Sequence, residues 1–386
     1  MRHDAQDRKT FMHRPSMERS GQQRQRRALL MVAIAFLAQN VGVSMGFGAY
    51  GAMVGAIEQQ FHTSRALASS GLSAMAVMIG LCAPSVGSLI ARWGTRQVML
   101  AGAGLCVAGY AVLTQVSDIR VLLGVYLVLI GPGACLLGTV PGCTLAASWV
   151  EPGARGRALG IVNMSLFICF FPPIAARVLA AYGLHAVFLM LGVLTLAITP
   201  LLLLVADCPA TDADASAGAH GHGVVTGAAE PAEGVLLRPA FLAVVFGSSC
   251  LVATGMVMVS HLVSLGSDRG LDLTHASLLL SAFGIACAVG AGLFGWFADL
   301  TSVRIAFIVA ALLPIPGVAV LIHGSAFVTL FGSAALVGLC SGAVVGLQST
   351  ALIAWLGERI FSRAIGLLYL LQVPVLLGAA PIAGFL

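Results

Sequence analysis

Long apolar runs, separated by short polar ones, set the pattern of this chain. Runs of roughly twenty residues or more lie near 28–57, 66–91, 98–115, 121–148, 158–181, 184–206, 240–266, 273–297, 305–323, 326–356 and 364–386. A helix rising 1.5 Å per residue needs about 20 residues to cross a hydrocarbon core of about 30 Å. The pattern therefore predicts eleven crossings. The third and ninth runs are short, and several others exceed the span required, which implies tilt or projection into water. Barrel strands are excluded, because the runs are too long and do not alternate. Residues 207–237 interrupt the pattern. They are rich in Ala, Gly, Asp and Glu, include Pro209 and Pro231, and hold no Lys or Arg. That composition reads as a flexible linker. His220 and His222 within it are too sparse a set to indicate a metal site.

The chain also repeats itself. Trp149 precedes Arg157-Ala158-Leu159-Gly160, and Trp355 precedes Arg363-Ala364-Ile365-Gly366, an offset of 206 residues. Gly87 with Arg92, and Gly295 with Asp299, repeat at an offset of 208. Duplication of a helical membrane unit follows. The expected organisation is a basic tail over 1–27, a six-helix half over 28–206, a linker over 207–238 and a second half over 239–386. After Gly160 the first half continues through two helices, whereas only 20 residues follow Gly366. The fold expected is thus an all-α integral membrane protein of two pseudo-symmetric six-helix halves, with the twelfth helix missing.

Composition agrees with this reading. The chain is 59% hydrophobic and 9% charged, with a mean hydropathy of +0.99. A soluble fold cannot bury that much apolar surface, whereas lipid tails accept it. Nine cysteines are scattered without any C-x-x-C, as small packing residues rather than disulfide or metal partners. Sixteen Lys and Arg fall on the N-terminal tail and every second connection, against three (Arg65, Arg120, Arg269) on the opposite side. By the positive-inside rule the N-terminus and the linker are cytoplasmic, in a cell membrane. The net charge of +5 then reports topology, not nucleic-acid binding. The tail, diluted by Asp4, Asp7 and Glu18, could touch anionic lipid. It contains acids and leads into too long an apolar run for a secretory signal.

Candidate chemistry follows from depth. Asn40, Gln348 and Gln372 lie about 14–18 Å from the basic side, near the membrane centre, on three different helices. They are candidates to bind a small molecule, the alternative being hydrogen bonds to one another between helices. Asn163 is shallower and is a further candidate. Arg177 falls about 30 Å from Arg157, at the outer boundary. There it either snorkels to headgroups or attracts an anion. His261, also near the outer edge, is either a protonatable gate or a hydrogen-bonded structural residue. Glycines spaced by four (Gly42, Gly46; Gly51, Gly55; Gly338, Gly342, Gly346) permit close helix approach, for sliding or for tight packing. No acid pair, histidine cluster or nucleophile motif occurs at one depth, so an enzyme is not expected, nor a cofactor or metal. The expected partners are a small-molecule substrate and the bilayer.

The turn after the second run, Gly87-Ser88-Leu89-Ile90-Ala91-Arg92-Trp93-Gly94-Thr95-Arg96, resembles the signature Gly-x3-Asp-Arg-x-Gly-Arg-Arg of the major facilitator superfamily, with Ala91 at the acidic position. The second half restores the acid at Asp299, with Arg304 nearby. Tyr50-Gly51-x3-Gly55 with Ser64-Arg65, Trp149 with Arg155-Gly156-Arg157, and His261 with Asp268-Arg269-Gly270 are similar to the monocarboxylate-porter and oxalate/formate-antiporter branch. The resemblance implies a secondary transporter working by alternating access on a small organic solute, of monocarboxylate-like anion type, coupled to a proton or counter-substrate. It also implies gating at the cytoplasmic face through Arg92, Gly94, Arg96, Arg155, Arg157, Asp299, Arg304 and Arg363. The branch carries cationic or acidic groups in helix 8 or 11, but the interior of run 273–297 has none and the last run offers Gln372. Two alternatives stand beside this reading: an exporter of neutral or amphipathic molecules, and a non-transporting sensor or scaffold.

Overall fold

The computed structural model describes residues 25–150, 158, 161–206, 238–356 and 358–385. Among the described residues regular structure is helical throughout. Eleven apolar helices follow one another: α1 (Gln25–Gln60), α2 (Arg65–Trp93), α3 (Thr95–Leu113), α4 (119–149), α5 (Phe167–Tyr182), α6 (Leu184–Leu202), α7 (Pro239–Asp268), α8 (Leu273–Leu300), α9 (Val303–His323), α10 (Phe327–Leu356) and α11 (Glu358–Phe385). Ten contain a stretch long and apolar enough to cross a membrane, and α5 is the short one.

Local chemistry sets the helix ends. The side chains of Ser64, Asp118 and Ser302 cap α2, α4 and α9 by accepting from Leu67, Arg120 and Ile305 backbone N–H groups at 3.3, 2.8 and 3.3 Å. Gly94 ends α2 with φ of +80°, a conformation that glycine adopts without strain. The Arg269 guanidinium donates to the carbonyls of Ile322 and Gly324, placing a cation at the negative end of α9.

One expectation needs correction. The run 158–181 is not one continuous helix, because the chain leaves helical geometry at Asn163 and resumes it at Phe167. Two further irregularities are π turns, at Asn40–Ser44 in α1 and Tyr126–Ile130 in α4.

Packing reveals the duplication. In the first half α1 packs on α2 and α5, α2 on α4, and α3 on α4 and α6. In the second, α7 packs on α8 and α11, α8 on α10, and α9 on α10. The second set is the first displaced by six helices. The halves meet along a seam made by α2 with α11, α5 with α8, and α1 with α7. Exchanging the halves turns the first pair into the second and the third into itself, which is a two-fold arrangement. Glycines bring the helices of α8–α10 together: a Cβ on Gly290 would overlap the Leu339 carbonyl, and one on Gly342 the Cys287 carbonyl.

Candidate functional site

Two of the mid-depth amides come together. Gln372 on α11 donates through Nε2 to the Ser248 hydroxyl on α7 at 2.9 Å and to Gln348 Oε1 on α10 at 3.4 Å. Gln348 in turn donates through Nε2 to the Tyr369 hydroxyl at 3.3 Å. Both amides are buried, at 1% and 2% exposure, whereas Tyr369 is 42% exposed. The chain of bonds therefore runs from the packed interior of the second half outward to one phenol. Tyr369 stands one helical turn before Val373, which faces α2 across the seam. Cys143 accepts from the Asn163 amide at 3.3 Å.

Asn40 is elsewhere. It is fully buried, and its three hydrogen bonds at 3.0 Å go to backbone. Nδ2 donates to the carbonyls of Phe36 and Met164, and Oδ1 accepts from the Phe167 N–H. The Met164 carbonyl and the Phe167 N–H belong to the break before α5, so Asn40 fastens the break to α1.

The ionic candidates sit away from the centre. Arg177 is exposed and continues the exposed stripe of Phe170, Ile174 and Ala181 on α5, a face that suits lipid with the cation at its end. His261 Nε2 donates to the Ala380 carbonyl of α11 at 2.7 Å. Arg92, Arg96 and Arg304 are exposed and form no ion pair among the described residues. Arg155 and Arg157 lie outside the described residues, as do the side chains of Asp299 and Arg363. A shallow groove at Ala111, Gln115, Asp118 and Val121 lies at the α3–α4 turn, remote from the amide chain.

The seam differs between its two ends. At the end opposite the N-terminus it is shut. Arg65, opening α2, binds Asp268 at the end of α7 through both terminal nitrogens, at 2.5 and 3.2 Å, while its Nε holds Glu58 of α1 at 3.1 Å. Gly384 of α11 lies on Ala66, so a Cβ there would stand 2.9 Å from the Ala66 nitrogen. Towards the basic end the described residues leave the matching positions open. On α2, a Cβ at Gly80 would have Val373 at 3.9 Å, yet Gly87, on the same face seven residues on, has nothing within 4 Å among the described residues. On α8, Gly284 abuts Ile168 and Cys169 of α5, yet Gly295, on the same face eleven residues on, is open among the described residues.

Sequence reasoning missed Ser248 and Tyr369. Both were within reach of it: Ser248 lies ten residues after Arg238, at the depth of the amides, and Tyr369 lies three before Gln372 on one helical face.

Comparison with known proteins bears on this geometry. The chain is 25% identical over 277 residues to the uncharacterized MFS-type transporter YcxA of Bacillus subtilis, covering 67% of this chain and 65% of that protein. It is 27% identical over 238 residues to monocarboxylate transporter 11 of Homo sapiens, covering 59% and 47%. The matches therefore span under two thirds of the length of either relative. Among solved structures, a bacterial homolog of the human lysosomal transporter Spinster, inward-facing and unoccupied, superposes with a TM-score of 0.70 at 16% identity over 93% of this chain and 81% of that one. The peptide transporter POT in complex with sulfate gives 0.71 at 16% identity, over 92% and 88%. The family model that matches residues 36–266 is that of the Major Facilitator Superfamily. Helices paired six apart about a two-fold seam, together with that match over most of the chain, make this protein a multi-pass membrane member of the Major Facilitator Superfamily.

Proposed function

We propose that the chain is a secondary transporter that moves a small organic solute by alternating access, with its basic end in the cytoplasm. The observation that carries this reading is the uneven seam. One end is closed by an ion-paired contact between the halves, and the other is open among the described residues. A rocking carrier needs such an arrangement, since the solute must meet only one side at a time. By the positive-inside rule the parted end faces the cytoplasm. The solute proposed is of the monocarboxylate size class. That choice rests on the resemblance of the Tyr50, Trp149 and His261 motifs and on the name of the human relative.

The test is uptake into proteoliposomes. With the full chain reconstituted, counterflow of a labelled C2–C5 monocarboxylate panel should be saturable and exceed that of protein-free vesicles. A panel that shows no protein-dependent flux, in either direction and at any pH from about 5 to 8, contradicts the reading.

A further inference from the structure

Helices of both halves meet at one point near the shut end. A Cβ on Gly384 of α11 would stand 2.9 Å from the Ala66 nitrogen of α2 and 3.0 Å from Cε1 of His261 on α7. His261 lies about two turns before the end of α7. Its Nε2 faces the Ala380 carbonyl at 2.7 Å, and a carbonyl only accepts, so Nε2 carries the proton of the neutral ring. Nδ1 then holds the lone pair. That atom is buried and has no hydrogen-bond partner among the described residues.

A second proton, at Nδ1, is poorly accommodated in this arrangement. It adds a charged donor with no acceptor for it among the described residues. The ring lies beside the first turn of α2, whose free N–H groups form the positive end of that helix. Arg65, next in the chain to Ala66, brings a further cation, and it already holds both nearby carboxylates, Glu58 of α1 and Asp268 of α7. The other charged groups around this end are engaged elsewhere: Asp272 with His275 at the start of α8, and Arg269 with carbonyls at the end of α9. His62, between α1 and α2, is exposed; α10 holds no charged residue, and α11 holds none beyond Arg363. Parting the seam takes the α2 terminus and Arg65 away from the ring and lets water reach Nδ1. The open arrangement therefore holds an imidazolium better than the shut one, and by linkage acid favours opening.

Resting on the alternating seam proposed above, we infer that His261 is a proton-binding site that unlocks this end: the imidazolium opens it and the neutral ring lets it shut. The ring lies about 33 Å from the opposite end of α7, so its proton enters and leaves on one side of the membrane. His261 thus reports the pH of that side and does not carry the proton across with the solute.

Spin labels at Thr63 and Leu271 read the shut end by pulsed distance measurement, in full chain with the native cysteines replaced, in lipid nanodiscs without solute. The long-distance fraction should rise about fivefold from pH 8 to pH 5, the range in which an imidazole titrates. His261→Gln, which keeps a donor for the Ala380 carbonyl, should abolish that rise. His261→Lys, a cation across this range, should give the acid distribution already at pH 8. Asp268→Asn should raise the fraction at pH 8 and keep the rise on acidification. In vesicles of one protein orientation, acid on the face of the shut end alone should reproduce the shift, and acid on the opposite face alone should not. A pH response that survives His261→Gln, disappears in Asp268→Asn or follows the opposite face overturns the inference, as does a His261→Lys distribution that stays short. A pair that lengthens with a solute of the monocarboxylate panel but never with acid overturns it too, and leaves the transporter reading standing. A pair that stays short with acid and with every solute of the panel removes both.

Discussion

Asn40, Gln348 and Gln372 share a depth, but their hydrogen bonds divide them. Gln348 and Gln372 bond each other, while Asn40 holds the backbone at the break before α5. Replacing Asn40 by Leu takes one partner from the Met164 carbonyl and leaves the part-buried Phe167 N–H without its side-chain acceptor. The expected cost is about 1–3 kcal/mol, read as a lowered melting temperature, with unchanged substrate KM in the folded fraction. Retained stability with a raised KM would instead place Asn40 in the solute path. For the glutamines, single Leu variants and the double variant should be non-additive, with a coupling of about 0.5–3 kcal/mol in thermal stability. Additive losses would mean the 3.4 Å contact carries no energy. The sequence revealed the height of these residues and not their direction around the helix. Height follows from counting 1.5 Å steps, whereas direction depends on which face each helix buries, and buried polar side chains differ little from their neighbours in an all-apolar setting. For the same reason Tyr369 was passed over, although it lies on the Gln372 face.

At the scale of elements, the glycine spacing marked the right helices without separating packed from open positions. In α10, Gly342 has the Cys287 carbonyl where its Cβ would be, yet Gly346, one turn on, has nothing within 4 Å among the described residues. Gly342→Ala should cost about 1–3 kcal/mol through forced separation of α8 from α10, and Gly346→Ala should be near neutral. Equal melting temperatures for the two variants would contradict the packing described. The eleven helices were legible because bilayer thickness dictates run length. The interruption of α5 was not. Its residues, Asn163-Met164-Ser165-Leu166, hold no Pro or Gly to mark a stop, and the break is held by a residue 124 positions away. Pro172 and Pro173, the visible helix breakers nearby, lie within continuous helix instead.

For the whole molecule, duplication was legible from the paired Trp and Arg blocks, because each half repeats the same turns. The state of the seam was not, since one sequence must serve every stage of a cycle. The pair Arg65–Asp268 is half-exposed and is worth about 0.2–1 kcal/mol at most. That is enough to shift a balance between two states about fivefold. Asp268→Asn should therefore favour opening of the shut end, seen as faster thiol labelling of a cysteine placed at Ala66, with little loss of folded protein. The central claim is that the two ends of one seam open in alternation. Spin-label pairs test it most directly, in full chain with the native cysteines replaced, at Thr63 with Leu271 for the shut end and Ser88 with Thr301 for the parted end. Pulsed distance measurement without solute should give a short, narrow distribution for Thr63–Leu271 and a long, broad one for Ser88–Thr301. Saturating solute should then populate longer distances in the first pair and shorter ones in the second. Distances that lengthen or shorten together, or that ignore every solute the protein is found to carry, contradict the account.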